Sequence, residues 1–233
     1  MTLPVAILAG GLATRLRPIT EKIPKAMVEV AGEPFVFRQL KYLRDQGIRR
    51  VVMCIGYLGE MVQEAVGDGS QFGMDVAYSI DGDVLLGTGG ALKRALPLLG
   101  PQFFVLYGDS FLPVEFMPVE RAFTASGKKA LMTVLRNGNQ WDKSNVLFRD
   151  GELVEYNKRE PRPEMEFIDY GLGVVTGSVL DTYPDREPFD LADVYHTLSL
   201  EQQLAGYEVH QRFYEIGSHS GLKEAETFFS KGE

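Results

Sequence analysis

Two adjacent glycines near the start of the chain, followed by two cations, could bind a phosphate group. Gly10 and Gly11 end an apolar run over residues 3–9 that predicts a buried strand. Successive backbone N–H groups in such a turn form a concavity that binds anions, and glycine lets a phosphate approach the backbone closely. Arg15 could then bind phosphate oxygens through paired hydrogen bonds, and Lys25 follows ten residues later. A simple glycine turn with solvated basic residues is the alternative.

Neither of the common phosphate-binding fingerprints accounts for this segment. It contains neither the P-loop pattern G-x-x-x-x-G-K-[ST] nor the dinucleotide pattern G-x-G-x-x-G. A second candidate for chemistry is Asp109, which follows the apolar run 103–107. Ligands of an α/β sheet bind at the carboxyl ends of its strands. Asp109 is therefore a candidate binding residue, and a residue that merely ends a strand is the alternative.

A serine hydrolase is another interpretation of the same region. Gly108-Asp109-Ser110-Phe111 resembles the G-D-S block of lipase-like hydrolases, and Asp193 and His196 could complete a Ser/His/Asp set. That block normally follows the first strand of its family, whereas here it follows the fourth predicted strand, after three earlier ones. Asp193 also lies in an apolar helical pattern, where it suits the first turn of a helix. The hydrolase interpretation leaves the glycine turn and its cations without a role.

The composition excludes several classes of protein. Of 233 residues, 45% are hydrophobic and 24% are charged, which excludes a largely disordered chain. The net charge of −8 lacks the basic footprint of a general nucleic-acid binder. A single cysteine, Cys54, excludes an intramolecular disulfide, and the three histidines match no familiar zinc spacing. Because no apolar stretch approaches ~18 residues and no signal peptide is evident, we expect a cytoplasmic protein without a membrane segment.

Alternating strands and helices must position these residues in the first half of the chain. Apolar runs predict strands at 3–9, 51–55, 75–80 and 103–107, and helical spacing predicts helices at 34–46, 58–66 and 88–97. Thr88 could cap the last of these helices, and Pro97 would end it. This alternation is typical of a parallel sheet with helices on both faces.

The second half has a more mixed pattern. Strands are predicted at 130–136, 145–148, 153–156 and 167–176. Asp190 could cap a helix, and residues 219–229 predict a terminal helix. The sequence contains no internal repeat and no break that requires a second domain.

Five segments, in this order, resemble the sugar-1-phosphate nucleotidyltransferases. Residues 8–20 (LAGGLATRLRPIT) and 24–27 (PKAM) resemble the signature L-A-G-G-x-G-T-R-L-x-P-x-T followed by P-K-P-M. The other four segments are Leu86-Gly87-Thr88-Gly89-Gly90-Ala91, Tyr107-Gly108-Asp109, Asn157-Lys158 and Phe213-Tyr214-Glu215-Ile216-Gly217. Together they extend over about residues 3–229, and the ordered set is far more specific than any single motif.

The resemblance implies a reaction in which an NTP and a sugar 1-phosphate give an NDP-sugar and pyrophosphate. It implies nucleotide binding by Leu8, Ala9, Gly10, Gly11, Gly87, Thr88 and Gly89. Arg15 would hold the departing phosphates and Lys25 would stabilise charge at the α-phosphate. The implied sugar-binding residues are Asn145, Asn157, Lys158 and Gly171. Asp109 and Glu215 would hold Mg²⁺.

The resemblance also implies a fold. We expect an α/β fold with a Rossmann-like, mostly parallel central sheet, helices on both faces and a smaller, partly antiparallel sugar-binding region. One domain over residues 1–233 would contain a nucleotide-binding part at 1–129 and a sugar-binding part at 130–233. The sequence carries no signal for an oligomeric state.

Several residues depart from the family pattern. Ala13 replaces a glycine beside the nucleotide phosphates, so we expect a negative φ at this position. Asn157 replaces a glutamate and Asn145 a glycine near the sugar, which would change the hydroxyl pattern that is read. Ala26 replaces a proline. Glu215 replaces an aspartate and reaches one methylene further towards the metal.

The resemblance identifies the nucleotide substrate less specifically than it identifies the type of reaction. The loop over residues 86–91 most resembles that of guanylyltransferases acting on mannose 1-phosphate or heptose 1-phosphate. Uridylyl- and cytidylyltransferases have related glycine loops and are the first alternative. A nucleotide-sugar binding domain without turnover is another, although Arg15, Lys25 and Asp109 argue against it.

Overall fold

A sheet of nine strands runs through the computed structural model, which describes residues 2–82, 84–185 and 187–231. The strands are β1 Val5–Leu8, β2 Glu29–Val30, β3 Glu33–Pro34, β4 Arg50–Ile55, β5 Asp75–Ile80, β6 Gln102–Tyr107, β7 Ser110–Phe111, β8 Ala130–Arg136, β9 Val146–Arg149, β10 Glu152–Tyr156, β11 Phe167–Thr176, β12 Leu204–Val209 and β13 Tyr214–Glu215. The α-helices are α1 Phe35–Asp45, α2 Gly59–Val66, α3 Gly87–Leu99, α4 Phe116–Ser126, α5 Leu191–Leu200 and α6 His219–Ser230. Short 3₁₀ turns include Thr14–Leu16, Ile19–Glu21 and Lys25–Met27.

Parallel pairing is concentrated in the strands from the first half of the chain. The main sheet has the order β10-β9-β11-β6-β1-β4-β5, with β8 paired to β11 and β12. Strand β1 is parallel to β4 and β6, and β4 is parallel to β5. Strand β11 is antiparallel to β6, β8 and β9, whereas β12 is parallel to β8. The α/β fold predicted from the sequence is confirmed, and one continuous sheet includes strands from both halves.

Two apolar cores cover opposite faces of this sheet. Val5 and Ile7 of β1 belong to the core that contains residues of α1, α2 and α4. Ala6, between them, belongs to the core that contains residues of α3 and α5. Because successive side chains of a strand point to opposite faces, a strand covered on both faces is apolar throughout. This explains why β1 reads as a continuous apolar run rather than as an alternating pattern.

Helix α3 differs from its prediction at both ends. Pro97 lies inside the helix, which continues to Leu99 and ends before Gly100 at φ 84°. Thr88 is not a cap of α3, because its hydroxyl instead accepts a hydrogen bond from Leu191 N at 2.8 Å and donates one to Asp190 Oδ1 at 2.5 Å. The predicted cap of α5 is confirmed, since the Asp190 side chain accepts from Ala192 N at 3.2 Å. Thr88 therefore ties the start of α3 to the start of α5.

Helix α4 and strand β12 were missed by the sequence analysis, although both lie beside the predicted strand β8. The Asn145 start predicted for a strand moves to Val146, and the bounds of the other predicted strands and helices also agree within about two residues. Among the described residues, no helix has the length and apolar character needed to cross a membrane.

Candidate active site

An inner cavity of about 260 Å³ lies at the carboxyl ends of β1 and β6. Because parallel strands all end at one edge of their sheet, the glycine turn after β1 and the aspartate after β6 meet there. The cavity is lined by six of the seven residues that were predicted to bind nucleotide, namely Leu8, Ala9, Gly10, Gly11, Gly87 and Thr88. Lys25 and Asp109 also line it.

Gly89, the seventh of these residues, is not among the described residues that line the inner cavity and packs against Phe189. A Cβ on Gly89 would lie 2.3 Å from the ring of Phe189, so only glycine fits against that ring. Gly89 N also donates a hydrogen bond to the Phe189 carbonyl at 3.0 Å. The glycine therefore lets a segment from the second half of the chain pack behind the cavity wall.

Ala13 adopts a left-handed conformation, with φ 48° and ψ 42°. The expectation of a negative φ was wrong. An L-residue in this region carries a steric cost of about 1–2 kcal/mol relative to glycine. The turn is held by its carbonyl, which accepts hydrogen bonds from Thr20 Oγ1 at 2.7 Å and from Leu16 N at 3.2 Å.

A larger outer cavity of about 550 Å³ adjoins the inner one. The predicted sugar residues Asn145, Lys158 and Gly171 line it, and Arg15 reaches it from the glycine turn. Asn157, by contrast, is outside the set of described residues that line it. Its Oδ1 accepts a hydrogen bond from Glu160 N at 2.9 Å, and its N–H donates to the Asn145 carbonyl at 2.9 Å. Asn157 thus orders the loop after β10.

Tyr107 and Asp109 line both cavities and mark the place where they meet. At this junction Lys25 Nζ lies 2.7 Å from Asp109 Oδ2. The pair is mostly withdrawn from solvent, with side-chain exposures of 18% and 28%. A cation and a carboxylate in this position could both act on a group that bridges the two cavities.

Glu215 converges on Asp109 from the other side of the outer cavity. A Cβ on Gly217 would lie 2.2 Å from Glu215 Oε2 and 3.4 Å from Asp109 Oδ2, so both carboxylates approach the backbone at Gly217. Glu215 Oε2 accepts a hydrogen bond from Gly217 N at 2.6 Å, and Oε1 accepts one from Ser218 Oγ at 2.9 Å. Strand β13, which carries Glu215, pairs with β7 directly after Asp109.

The donor set at this point fits Mg²⁺. Two carboxylates bring oxygen ligands together and leave positions for phosphate oxygens and water, which is how proteins commonly bind this ion. The described residues include no cluster of three or more histidine, cysteine, aspartate or glutamate side chains that could hold a metal by themselves. Any ion at Asp109 and Glu215 would therefore depend on a ligand to complete its coordination.

Asp81 is a functional candidate that the sequence analysis missed. It follows β5, lines the inner cavity and is only 7% exposed, and its Oδ1 has no hydrogen-bond partner among the described residues. Burial raises the pKa of Asp81, while the Leu86 N–H and the charge of Arg94 favour its ionised form. Its position directly after a predicted strand was the signal that could have identified it.

Asp169 is a second missed candidate, in the wall of the outer cavity. Its Oδ1 accepts a hydrogen bond from Gly171 N at 2.9 Å, and its own N–H donates to Asn145 Oδ1 at 3.1 Å. Burial raises the pKa of Asp169 to about 6, against the opposing effects of the Gly171 N–H and the charge of Lys158. A polar residue inside the apolar run of β11 was the available signal.

The residues of the hydrolase interpretation have other partners. Ser110 Oγ donates to Asp109 Oδ1 at 3.2 Å, and His196 Nδ1 lies 2.6 Å from the Tyr156 carbonyl. Asp193 pairs with Arg159 at 2.5 Å. Ser110 and His196 therefore have other hydrogen-bond partners and do not form a catalytic pair, so the hydrolase interpretation is rejected.

Known proteins resemble this chain in sequence and in fold. The family described as nucleotidyl transferase matches residues 5–144. N-acetylmuramate alpha-1-phosphate uridylyltransferase of Neisseria meningitidis is 29% identical over 226 residues, covering 94% of this chain and 95% of that protein. D-glycero-alpha-D-manno-heptose 1-phosphate guanylyltransferase of Campylobacter jejuni is 28% identical over 188 residues, covering 80% and 82%. The crystal structure of HddC from Yersinia pseudotuberculosis complexed with GMP-PN has the same fold, with a TM-score of 0.80 and 24% identity over 98% of this chain and 100% of that one.

Replacing Asp169 by asparagine should stabilise the protein in a pH-dependent way. The pKa of Asp169 is about 6 in the folded protein and that of an unperturbed aspartate is about 3.9, so ionisation costs folding stability as the pH rises between these values. Asparagine can keep the hydrogen bond from Gly171 N without the charge. We expect Asp169→Asn to raise the free energy of unfolding by on the order of 1–3 kcal/mol above pH 6, with a smaller gain towards pH 4.

Urea unfolding at several pH values measures this difference. Asp75→Asn is the matched control, because Asp75 is exposed on the edge strand β5 and solvent screens its charge. A gain for Asp169→Asn that shrinks as the pH rises would contradict the assignment.

Proposed function

The chain belongs to the nucleotidyl transferase family and is a sugar-1-phosphate nucleotidyltransferase, and we propose that it uses GTP and a sugar 1-phosphate of the mannose or heptose type. The observation that carries the proposal is the meeting of two cavities at Asp109 and Lys25. A base and ribose fit the inner, more apolar cavity, and a sugar fits the outer one, where acidic and amide side chains can bind hydroxyl groups. The α-phosphate would then lie at the junction.

The reaction joins the two substrates at that phosphorus atom. A phosphate oxygen of the sugar 1-phosphate attacks the α-phosphorus in line, the new P–O bond forms, and the bond to the β-phosphate breaks with release of pyrophosphate. The attacking oxygen is already ionised, so no general base is needed. Catalysis then consists of positioning and charge neutralisation. The anomeric C–O bond is not broken, so its configuration is retained.

Each cation has a place in this scheme. Lys25, at the junction, stabilises the charge that develops on the α-phosphate. The backbone of Gly10 and Gly11 binds the phosphates that leave, and Arg15 approaches from the outer cavity. Lys158 binds the phosphate of the sugar. Asp109 and Glu215 would hold Mg²⁺, which when bound adds positive charge at the α-phosphate.

Asp81 supports guanine as the base. An ionised carboxylate only accepts hydrogen bonds. Guanine presents N1–H and N2–H₂ side by side, which is two donors for one carboxylate. Uracil and thymine present a single N–H between two carbonyl oxygens, so an ionised carboxylate would meet an acceptor at its second oxygen. Because Asp81 lines the inner cavity, its carboxylate is our reason for favouring GTP over UTP.

The two relatives do not distinguish between GTP and UTP as the substrate, because one is a uridylyltransferase and the other a guanylyltransferase. The heptose-1-phosphate relative supports the mannose- or heptose-type sugar. Asn145 and Asp169 are the side chains that we propose to read the sugar hydroxyls, and Gly171 keeps the wall close to the ring. A cytoplasmic location stays a prediction.

A matrix of nucleotides against sugar 1-phosphates tests the proposal through pyrophosphate release. GTP, UTP, CTP, ATP and dTTP are each combined with mannose, heptose, glucose and N-acetylated sugar 1-phosphates. We expect the highest kcat/KM with GTP. Asp81→Asn should reduce the ratio of kcat/KM for GTP over UTP by about tenfold or more, because an unmet polar group in a buried site discriminates strongly. Asp75→Asn, at the exposed start of β5, should leave that ratio unchanged.

Preference of the wild type for UTP would reject guanine and point to a protonated Asp81, which can donate to a carbonyl oxygen of uracil. Absence of pyrophosphate release with every combination would reject the proposed reaction.

Replacing Lys25 should slow the chemical step. Loss of a cation that meets transition-state charge costs on the order of 10²-fold or more in kcat. Lys25→Ala should therefore lower kcat by at least that factor, measured at saturating substrates, with folding checked by circular dichroism. Lys22→Ala, three residues away and exposed, is the control and should retain its turnover. A Lys25→Ala enzyme with most of its activity would remove Lys25 from the mechanism.

Removal of the divalent cation should abolish turnover. We expect EDTA to stop pyrophosphate release and added Mg²⁺ to restore it, because the two carboxylates at the junction otherwise bring negative charge close to the phosphates. Asp109→Asn should lose activity even at saturating NTP. Full activity in EDTA would contradict the assignment of both carboxylates.

A further inference from the structure

Gln39 of α1 lies directly beneath the backbone that carries Asp109. Its side chain is 2% exposed, and its Nε2 donates to the Tyr107 carbonyl at 3.0 Å and to the Ser110 carbonyl at 2.8 Å. These carbonyls stand on either side of Gly108 and Asp109. One amide group therefore holds both ends of the turn from which the Asp109 carboxylate projects.

The opposite side of this turn is fixed by β1. Gly108 N donates to the Leu8 carbonyl at 2.9 Å, and a Cβ on Gly108 would lie 2.9 Å from the Cβ of Ala9. The turn is thus confined between strand β1 and the amide of Gln39. The turn over Gly108 and Asp109 therefore has little conformational freedom. Removal of the Gln39 side chain would leave the contacts of the turn with β1 in place.

The same amide also acts on the second carboxylate through the backbone. Ser110 is the residue of β7 that pairs with Glu215 of β13, and Ile216 N donates to the Asp109 carbonyl at 2.9 Å. A displacement of Ser110 would therefore carry Glu215 with it. The amide of Gln39 is thus linked through the backbone to both carboxylate-bearing segments.

Gln39 is a polar residue among the buried apolar residues of α1. The neighbouring residues Val36, Leu40 and Leu43 of α1 are buried and apolar. The Oε1 of Gln39 has no partner among the described residues, and an unpaired buried acceptor destabilises a fold. Such a residue is retained where its donors do something that an apolar side chain cannot do.

We propose that Gln39 is a positioning residue that sets the separation of Asp109 and Glu215 and so determines the affinity of the site for a divalent cation. The inference rests on the proposed function, because it assumes that these two carboxylates hold the ion. Gln39 touches neither substrate in this scheme and acts through the backbone of the Asp109 turn.

The test compares Gln39→Met, which has similar length and no N–H donor, with the wild type. Gln39→Leu is a second donor-free variant, so the comparison does not depend on one protein folding well. Tyr42→Phe is the matched control, because Tyr42 lies one turn along α1 and its hydroxyl donates to a carbonyl, that of Val114 at 3.1 Å, away from the carboxylates.

Binding of Mn²⁺ is measured by electron paramagnetic resonance in the presence of the α,β-methylene analogues of GTP and UTP. Loss of a residue that orients metal ligands typically reduces metal affinity by about 10–100-fold. We expect the Kd for Mn²⁺ to rise by about tenfold or more in the Gln39 variants and to stay within about twofold of wild type in Tyr42→Phe. In turnover, the Mg²⁺ concentration for half-maximal rate should rise in parallel, while the KM of the sugar 1-phosphate stays the same.

Gln39 variants that are less stable but bind Mn²⁺ like the wild type would overturn the inference, as would a wild type that releases pyrophosphate without binding Mn²⁺. A wild type with Gln39-dependent Mn²⁺ binding and no turnover on any substrate pair would support the role of Gln39 and reject the proposed function. The two conclusions therefore fail separately.

Discussion

The ion pair between Lys25 and Asp109 lies where the two cavities join, and most of the surrounding structure serves to hold its two members there. Asp109 follows β6, which is parallel to β1, so the strand order brings it to the glycine turn after β1. Lys25 reaches the same point from the short 3₁₀ turn Lys25–Met27 that follows that loop. Because both side chains are mostly withdrawn from solvent, the electrostatic energy of the pair depends more strongly on the distance between the charges than it would on the surface. A phosphate that enters the junction must come between them or beside them.

Several features of the site lower the stability of the folded protein. Asp81 and Asp169 are carboxylates whose burial raises their pKa, and Gln39 and Asp81 each have a side-chain oxygen without a partner in the described structure. Ala13 adds a left-handed backbone conformation in the same region. Such features gather at functional sites, where the surrounding fold is stable enough to tolerate them. Here the two apolar cores on either face of the sheet provide that stability.

The strands and helices that follow from a local hydrophobic pattern could be predicted from the sequence. The residues that follow the strands could also be identified as candidate functional residues. The apolar runs of β1, β4, β5 and β6 gave the parallel strands, and the strand-end rule then placed Gly10 and Asp109 at one edge. Some contacts that the local pattern did not indicate involve distant partners. Gly89 packs against Phe189, and Thr88 bonds to Asp190 rather than to its own helix. No pattern within a short window contains those partners.

The dependence of the inner cavity on Phe189 and Asp190 has a consequence for biosynthesis. A growing chain that has reached residue 129 already contains the glycine turn, Lys25, Asp109 and all of α3. It still lacks the ring that packs against Gly89 and the side chain that Thr88 bonds, and β6 still lacks its neighbour β11. The nascent chain therefore has an open edge at β6 until β11 is complete at Thr176, and an unsupported cavity wall until Phe189 and Asp190 have been added. An open strand edge can pair with other chains, so this interval is the one in which the nascent chain is most exposed to aggregation.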